Sequence, residues 1–168
     1  MPGFPDLRRI FRGLLEELGA GCEAVYGPRL VSLAVFGSVG RGTPRPDSDI
    51  DLLVVADPLP HGRMRRVEEF EEVERRMKEP LAAARRAGVE TRLSPVFKTP
   101  QEVRARSPLL LDLVHDAQLL ADREGFLQDA LQGLRERLDE LGARRIWRGN
   151  AWYWDLKPDY RPGEVFEL

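Results

Sequence analysis

The sequence predicts one α/β (α+β) domain closed by an aromatic tail, on three observations. Residues 31–36 (VSLAVF) and 52–56 (LLVVA) are short apolar runs bounded by Gly, Pro and Ser, the pattern of two neighbouring buried strands. The stretches on either side repeat their apolar residues at helical spacing. The composition then changes at Arg144, where the segment RRIWRGNAWYWDLKPDYRPGEVFEL holds all three Trp and two of the three Tyr. The domain is therefore expected over residues 1–143, with its C-terminal part helical, and the tail over 144–168, packed on the domain surface by its rings. A chain of 168 residues has enough interior to bury a sheet and several helices.

Composition narrows the classes of partner. The apolar share of 42% and the charged share of 32% are those of a soluble globular protein on the charged side. A net charge of −2 supplies no global attraction for nucleic acid or an anionic membrane. The single cysteine, Cys22, leaves no internal disulfide and no Cys-based zinc site, and suits a reducing compartment. No apolar run approaches the roughly 20 residues that a membrane helix needs. The start, MPGFPDLRR, lacks the apolar core of a signal peptide. The expectation is a cytoplasmic protein with no membrane contact and no strong DNA-binding signal.

In order along the chain, a loose Pro-Gly start leads to Asp6, which caps a helix with Leu7, Ile10, Phe11, Leu14, Leu15 and Leu18 on one face. That helix stops near Gly19 or continues to Gly27-Pro28. The two central strands follow, joined by the turn-rich GRGTPRPDS. A helix over 63–87 carries Met64, Val67, Phe70, Met77, Leu81 and Ala84, with Glu71–Arg75, Glu72–Arg76 and Glu74–Lys78 as i,i+4 pairs on a solvated face. Pro80 is expected to kink or restart it. Residues 89–98 read as a third strand, placed at an edge or on a bulge by Pro95. Thr99-Pro100-Gln101-Glu102 has the form of a capping box that opens a short helix, and another begins after Ser107-Pro108. Residues 117–121 form a last short strand, and Asp122 caps a helix to about Leu141.

The chemistry lies between the two central strands. Asp49 and Asp51 are two apart, so in a strand their carboxylates share a face. Two adjacent carboxylates repel, and Mg²⁺ relieves that, because it takes oxygen ligands from one or two carboxylates and completes its shell with phosphate and water. Gly37-Ser38, directly after the first strand, lets backbone amides approach a phosphate. The Ser38 hydroxyl adds a donor, and Arg41 offsets polyphosphate charge. The bland alternative is a hairpin with solvated acids, which would leave Asp47 and Ser48 beside the pair without purpose.

Rival motifs fail on single residues. A Walker A loop needs Lys and then Ser or Thr after Gly42, where Thr43-Pro44 stands. A nucleophile elbow around Ser38 needs Gly at Phe36. A dinucleotide-binding turn needs a long helix, which Pro44 and Pro46 prevent. His61 and His115 have no second ligand at metal spacing, and read as a turn residue and a helix-end residue.

Phe36-Gly37-Ser38, Arg41-Gly42 and Ser48-Asp49-Ile50-Asp51-Leu52 together resemble the nucleotidyltransferase superfamily of DNA polymerase beta, and within it the minimal nucleotidyltransferases of bacteria and archaea. The likeness is firm over about residues 26–56 and looser to 121. It implies a mixed sheet flanked by helices. It further implies metal held by Asp49 and Asp51, β- and γ-phosphates bound at Gly37 and Ser38 with Arg41 and Gly42 in the same motif, and attack of an acceptor hydroxyl on the α-phosphate with pyrophosphate leaving. Members usually place a third carboxylate on a later strand. The aligned position here is Ser94, and Glu90, on the Ser94 face of a regular strand, is the candidate replacement.

Two functions follow as expectations. One is an Mg²⁺-dependent enzyme that transfers a nucleoside monophosphate, AMP from ATP, to a hydroxyl of a small molecule, protein or RNA. The other is a catalytically weak nucleotide-binding module or antitoxin-type partner of a HEPN-type protein, which the resemblance implies and the missing third acid and aromatic tail motivate.

Overall fold

A strand with no polar side to offer solvent must lie inside a sheet, and the two Val/Leu runs do. The computed structural model describes residues 6–149 and 151–168. In chain order they form α1 (Leu7–Tyr26), β1 (Leu30–Phe36), α2 (Gly37–Gly40), β2 (Ile50–Ala56), α3 (Arg63–Arg86), β3 (Leu93–Lys98), α4 (Pro100–Arg104), α5 (Leu109–Asp116), β4 (Gln118–Asp122), α6 (Phe126–Glu140), β5 (Arg144–Arg148) and β6 (Ala151–Asp155). The main sheet has the order β3-β2-β1-β4, and β5 and β6 pair separately. β1 runs antiparallel to β2 and β4, whereas β2 and β3 are parallel, so the sheet is mixed and flanked by helices as expected.

Side-chain alternation sends the two faces of β2 into two cores. Ile50, Leu52, Val54 and Ala56 join Phe11, Leu14, Leu15 and Leu18 of α1 and Phe70, Val73 and Met77 of α3. Leu53 and Val55 join Val103 of α4, Leu110, Leu113 and Val114 of α5, and Leu127 and Leu134 of α6. Asp51 alternates with Ile50 and Leu52, so it belongs to the α5 face. No helix among the described residues is long and apolar enough to cross a membrane.

Several expectations change. α1 takes the longer of its two courses, ending at Tyr26. α3 continues through Pro80, because the packing of Phe70, Val73 and Met77 before it and Ala84 after it outweighs one lost backbone bond. β3 starts at Leu93 rather than 89 and lies at the sheet edge, where Pro95 is tolerated. The capping box at Thr99 forms, Glu102 N donating to Thr99 Oγ1 at 3.2 Å and Thr99 N to Glu102 Oε2 at 2.7 Å. Asp122 caps α6 from across an intervening turn, accepting from Leu127 N and Gln128 N at 2.9 and 3.0 Å. The aromatic tail contains a hairpin instead of irregular chain. Its Trp154 stacks on His115 of α5 with centroids 5.5 Å apart, and Trp154, Leu156 and Leu168 pack against the second core. The loose Pro-Gly start expected for residues 1–5 lies outside the described residues.

Candidate active site

β1 delivers the chain to a sharp turn at the end of the sheet. Gly37 has φ +67°, a conformation that favours glycine, and α2 begins there. The turn closes on itself: Arg41 N donates to Gly37 O, Gly42 N to Val39 O and Thr43 N to Ser38 O, at 3.0, 3.0 and 2.9 Å. β2 begins beside this turn, with Asp51 opposite Phe36 of β1 on one side and Ser94 of β3 on the other. The approach is close enough that a Cβ on Gly37 would lie 2.5 Å from Asp51 Oδ2. The Gly-Ser turn and Asp51 are therefore direct neighbours.

The two acids differ in surroundings. Asp49 directly precedes β2 and is paired with Arg92, whose Nη2 and Nε lie 3.2 and 3.4 Å from its carboxylate oxygens. The Arg92 side chain is 82% exposed, so this is a solvent-screened pair of little energetic consequence. Asp51 is half-buried. Desolvation raises its pKa and the nearby Asp49 charge adds to the rise, while a hydrogen bond with the Ser94 hydroxyl opposes it. Ser38 Oγ donates to Ser48 Oγ at 3.0 Å, and Ser48 Oγ also accepts from Arg45 N at 2.9 Å.

This donor set fits a hard divalent cation. Two carboxylates two positions apart, one of them short of compensation, are oxygen ligands that gain from a positive charge, and phosphate and water would complete the shell. The expected third ligand is not supplied by Glu90. Because β3 starts only at Leu93, Glu90 lies on the preceding segment rather than on a strand face. Its side chain is 78% exposed and faces Arg85 at 3.7 Å, while its backbone N–H ties Pro46 O at 2.7 Å. Among the described residues no three His, Cys, Asp or Glu side chains are grouped to hold a metal.

Arg41 is paired with Asp116 of α5 at 2.8 Å. Asp116 also accepts Nη1 and Nη2 of Arg145 at 3.0 and 2.9 Å. Burial pushes the Asp116 pKa up, but the hydrogen bonds from Arg145 and Arg41 outweigh it and hold the carboxyl below its ordinary range. One turn earlier on α5, Asp112 is half-buried. Its pKa is raised by desolvation first, then by the charges of Asp116 and Asp51, with Arg145 acting against them. Asp112, Asp116 and Arg145 were not legible as site residues. The available signal was two acids at i,i+4 in the otherwise apolar LLLDLVHD, which places both on one face of a packed helix.

The nucleotidyltransferase domain family model matches residues 21–110, from the last turns of α1 to the start of α5. The candidate protein adenylyltransferase MJ1305 of Methanocaldococcus jannaschii is 28% identical over 129 residues, covering 76% of this chain and 82% of that protein. Among solved structures, a toxin–antitoxin crystal structure with AMP-PNP is 20% identical, covers 81% of this chain and 93% of its own, and has a TM-score of 0.42. The toxin–antitoxin MntA-HepT is 15% identical, covers 78% and 92%, and has a TM-score of 0.44. The family match covers the segment that contains the Gly-Ser turn and both acids, and by it the chain belongs to the nucleotidyltransferase domain family of the DNA polymerase beta superfamily.

Proposed function

We propose that the protein transfers AMP from ATP to a hydroxyl group on a protein, releasing pyrophosphate. The observation that carries this is the contact of Asp51 with Gly37, which brings a metal-ready carboxylate within reach of a phosphate-binding turn. The backbone amides of Gly37 and Ser38 hold the β- and γ-phosphates, with Gly42 closing the turn and Arg41 adding positive charge at its end. Ser38 exchanges its neutral bond to Ser48 for a phosphate oxygen. Asp49 and Asp51 would hold Mg²⁺, which would supply charge neutralisation at the phosphate oxygens. The acceptor oxygen forms a bond to the α-phosphorus as the bond to the β-phosphate oxygen breaks, and the hydroxyl proton passes to solvent. A protein acceptor is favoured by the M. jannaschii relative's name.

The test is incubation of the protein with α-labelled ATP, Mg²⁺ and extract of its own cells. Label in a protein band that disappears with Asp49→Ala/Asp51→Ala supports transfer. No labelled species of any kind, together with ATP binding that is kept, would favour a second reading, a nucleotide-binding partner module of the antitoxin type that acts on a HEPN-type protein. Ser94, standing where a third carboxylate would sit against Asp51, favours that reading.

A further inference from the structure

The C-terminal hairpin is wired into the phosphate turn. Helix α5 ends against the back of that turn so closely that a Cβ on Gly40 would lie 2.3 Å from the Asp116 carbonyl oxygen and 2.7 Å from that of Val35. At this junction the Asp116 carboxylate, 4% exposed, is shared by two guanidinium groups. One is Arg41, whose backbone N–H closes the turn onto Gly37 O. The other is Arg145 of β5, which takes both carboxylate oxygens and is itself only 13% exposed. The Arg145 guanidinium lies 4.8 Å from the centroid of Trp147 and 4.2 Å from that of Trp152, one ring from each strand of the hairpin.

The arrangement differs from a simple staple between tail and domain, which needs only Arg145 and Asp116. Here the same carboxylate also holds Arg41, at the end of a turn read as a triphosphate cradle, and Asp112, one turn earlier on α5, offsets part of the charge of the two arginines. The bidentate bond from Arg145 also fixes the carboxylate, and with it the place where Arg41 rests. Two indole faces supply cation–π contact that makes a partly buried guanidinium tolerable there.

We infer that Arg145, acting through Asp116, is a positioning residue for Arg41, so that the aromatic hairpin sets the protein's affinity for the β- and γ-phosphates of a nucleoside triphosphate. This rests on the reading of Gly37-Ser38 as the triphosphate site.

The experiment is calorimetric titration of the full chain with ATP and with AMP, each with Mg²⁺, beside thermal unfolding. Arg145→Gln is expected to weaken ATP binding about tenfold, the effect of losing one good charge-assisted contact, and to leave AMP binding unchanged, because AMP lacks the phosphates concerned. Arg145→Lys, which keeps the charge and loses the fork, is expected to fall between. If Arg145→Gln does not fold, Arg145→Lys and Trp147→Leu carry the test; Trp147 is 52% exposed, so its loss is tolerable. A ratio of ATP to AMP affinity equal to wild type in every folded variant, whatever the unfolding temperature does, overturns the inference and makes the cluster a staple. Wild-type protein that binds AMP and ATP equally, or binds neither, overturns the triphosphate reading itself and this inference with it.

Discussion

Asp51 and Asp116 are the same residue on facing elements of one domain, and their surroundings push them in opposite directions. Asp51 has a hydroxyl and another acid for neighbours, and its pKa is raised by desolvation and by Asp49. Asp116 is more deeply buried, yet two guanidiniums hold its carboxyl ionised. A buried charge that the protein satisfies belongs to the architecture. One that the protein leaves unsatisfied needs a partner from outside, which here fits a cation carried with a nucleotide.

The comparison breaks most sharply on activity. Asp51→Asn should lower the transfer rate by about a hundredfold or more in the labelling assay, while denaturant unfolding shows stability unchanged or slightly higher, because an uncompensated charge has gone. A variant that loses stability instead would show that Asp51 is already compensated within the fold.

Asp116→Asn should do the reverse to stability. It leaves two guanidiniums facing each other at a buried position, a change that costs about 3 kcal/mol. The pH dependence follows from the depressed pKa. The folded state holds the carboxyl below its ordinary value of 3.8, so its contribution is fully present above that value and is lost as pH falls through the folded pKa. The stability gap between wild type and Asp116→Asn should therefore be constant near neutrality and close in acid. Urea titrations from pH 7 to pH 2 measure it, and a gap that widens on acidification would reverse the assignment.

Metal addition sharpens the contrast at a smaller scale. Mg²⁺ with ATP should raise the wild-type melting temperature by about 2–4 °C for each kcal/mol of binding free energy. EDTA should cancel the rise, and Asp49→Asn/Asp51→Asn should show none. An equal rise in the double variant would place the metal elsewhere.

The smallest effect concerns Arg92. Removing this exposed partner of Asp49 should change stability by less than about 1 kcal/mol, and Arg92→Ala should bind Mg²⁺ slightly more tightly, because a competing cation has gone. Weaker metal binding in this variant would make Arg92 part of the site.

What could be read in advance divides along the range of the interactions. The strand–turn–strand unit, the helical cover and the capping box at Thr99 were legible, because strand alternation, helical period and capping act over a few residues. Glu90 was misplaced for the same reason: the face rule holds only inside a strand, and the pairing of β3 with β2 begins at Leu93. The hairpin in the tail was missed although the sequence has Gly149-Asn150, a two-residue hairpin signal, between the runs 144–148 and 151–155; the interleaved charges and rings on either side obscured it.

By itself the sequence determined the Gly-Ser turn and the acid pair, since both lie within fifteen residues joined by a turn that Pro44 and Pro46 keep from becoming helix. Only the tertiary structure decided which residues face them. Asp112, Asp116 and Arg145 come from a helix and a C-terminal hairpin far along the chain, and no local pattern specifies which of them meet, whereas Ser94 was placed beside the pair by the resemblance. Charge compensation depends on that meeting. Whether a carboxylate is satisfied is set by desolvation and by partners brought in when the chain closes, which is why the pair Asp49/Asp51 could be named from sequence and the clamp on Asp116 could not.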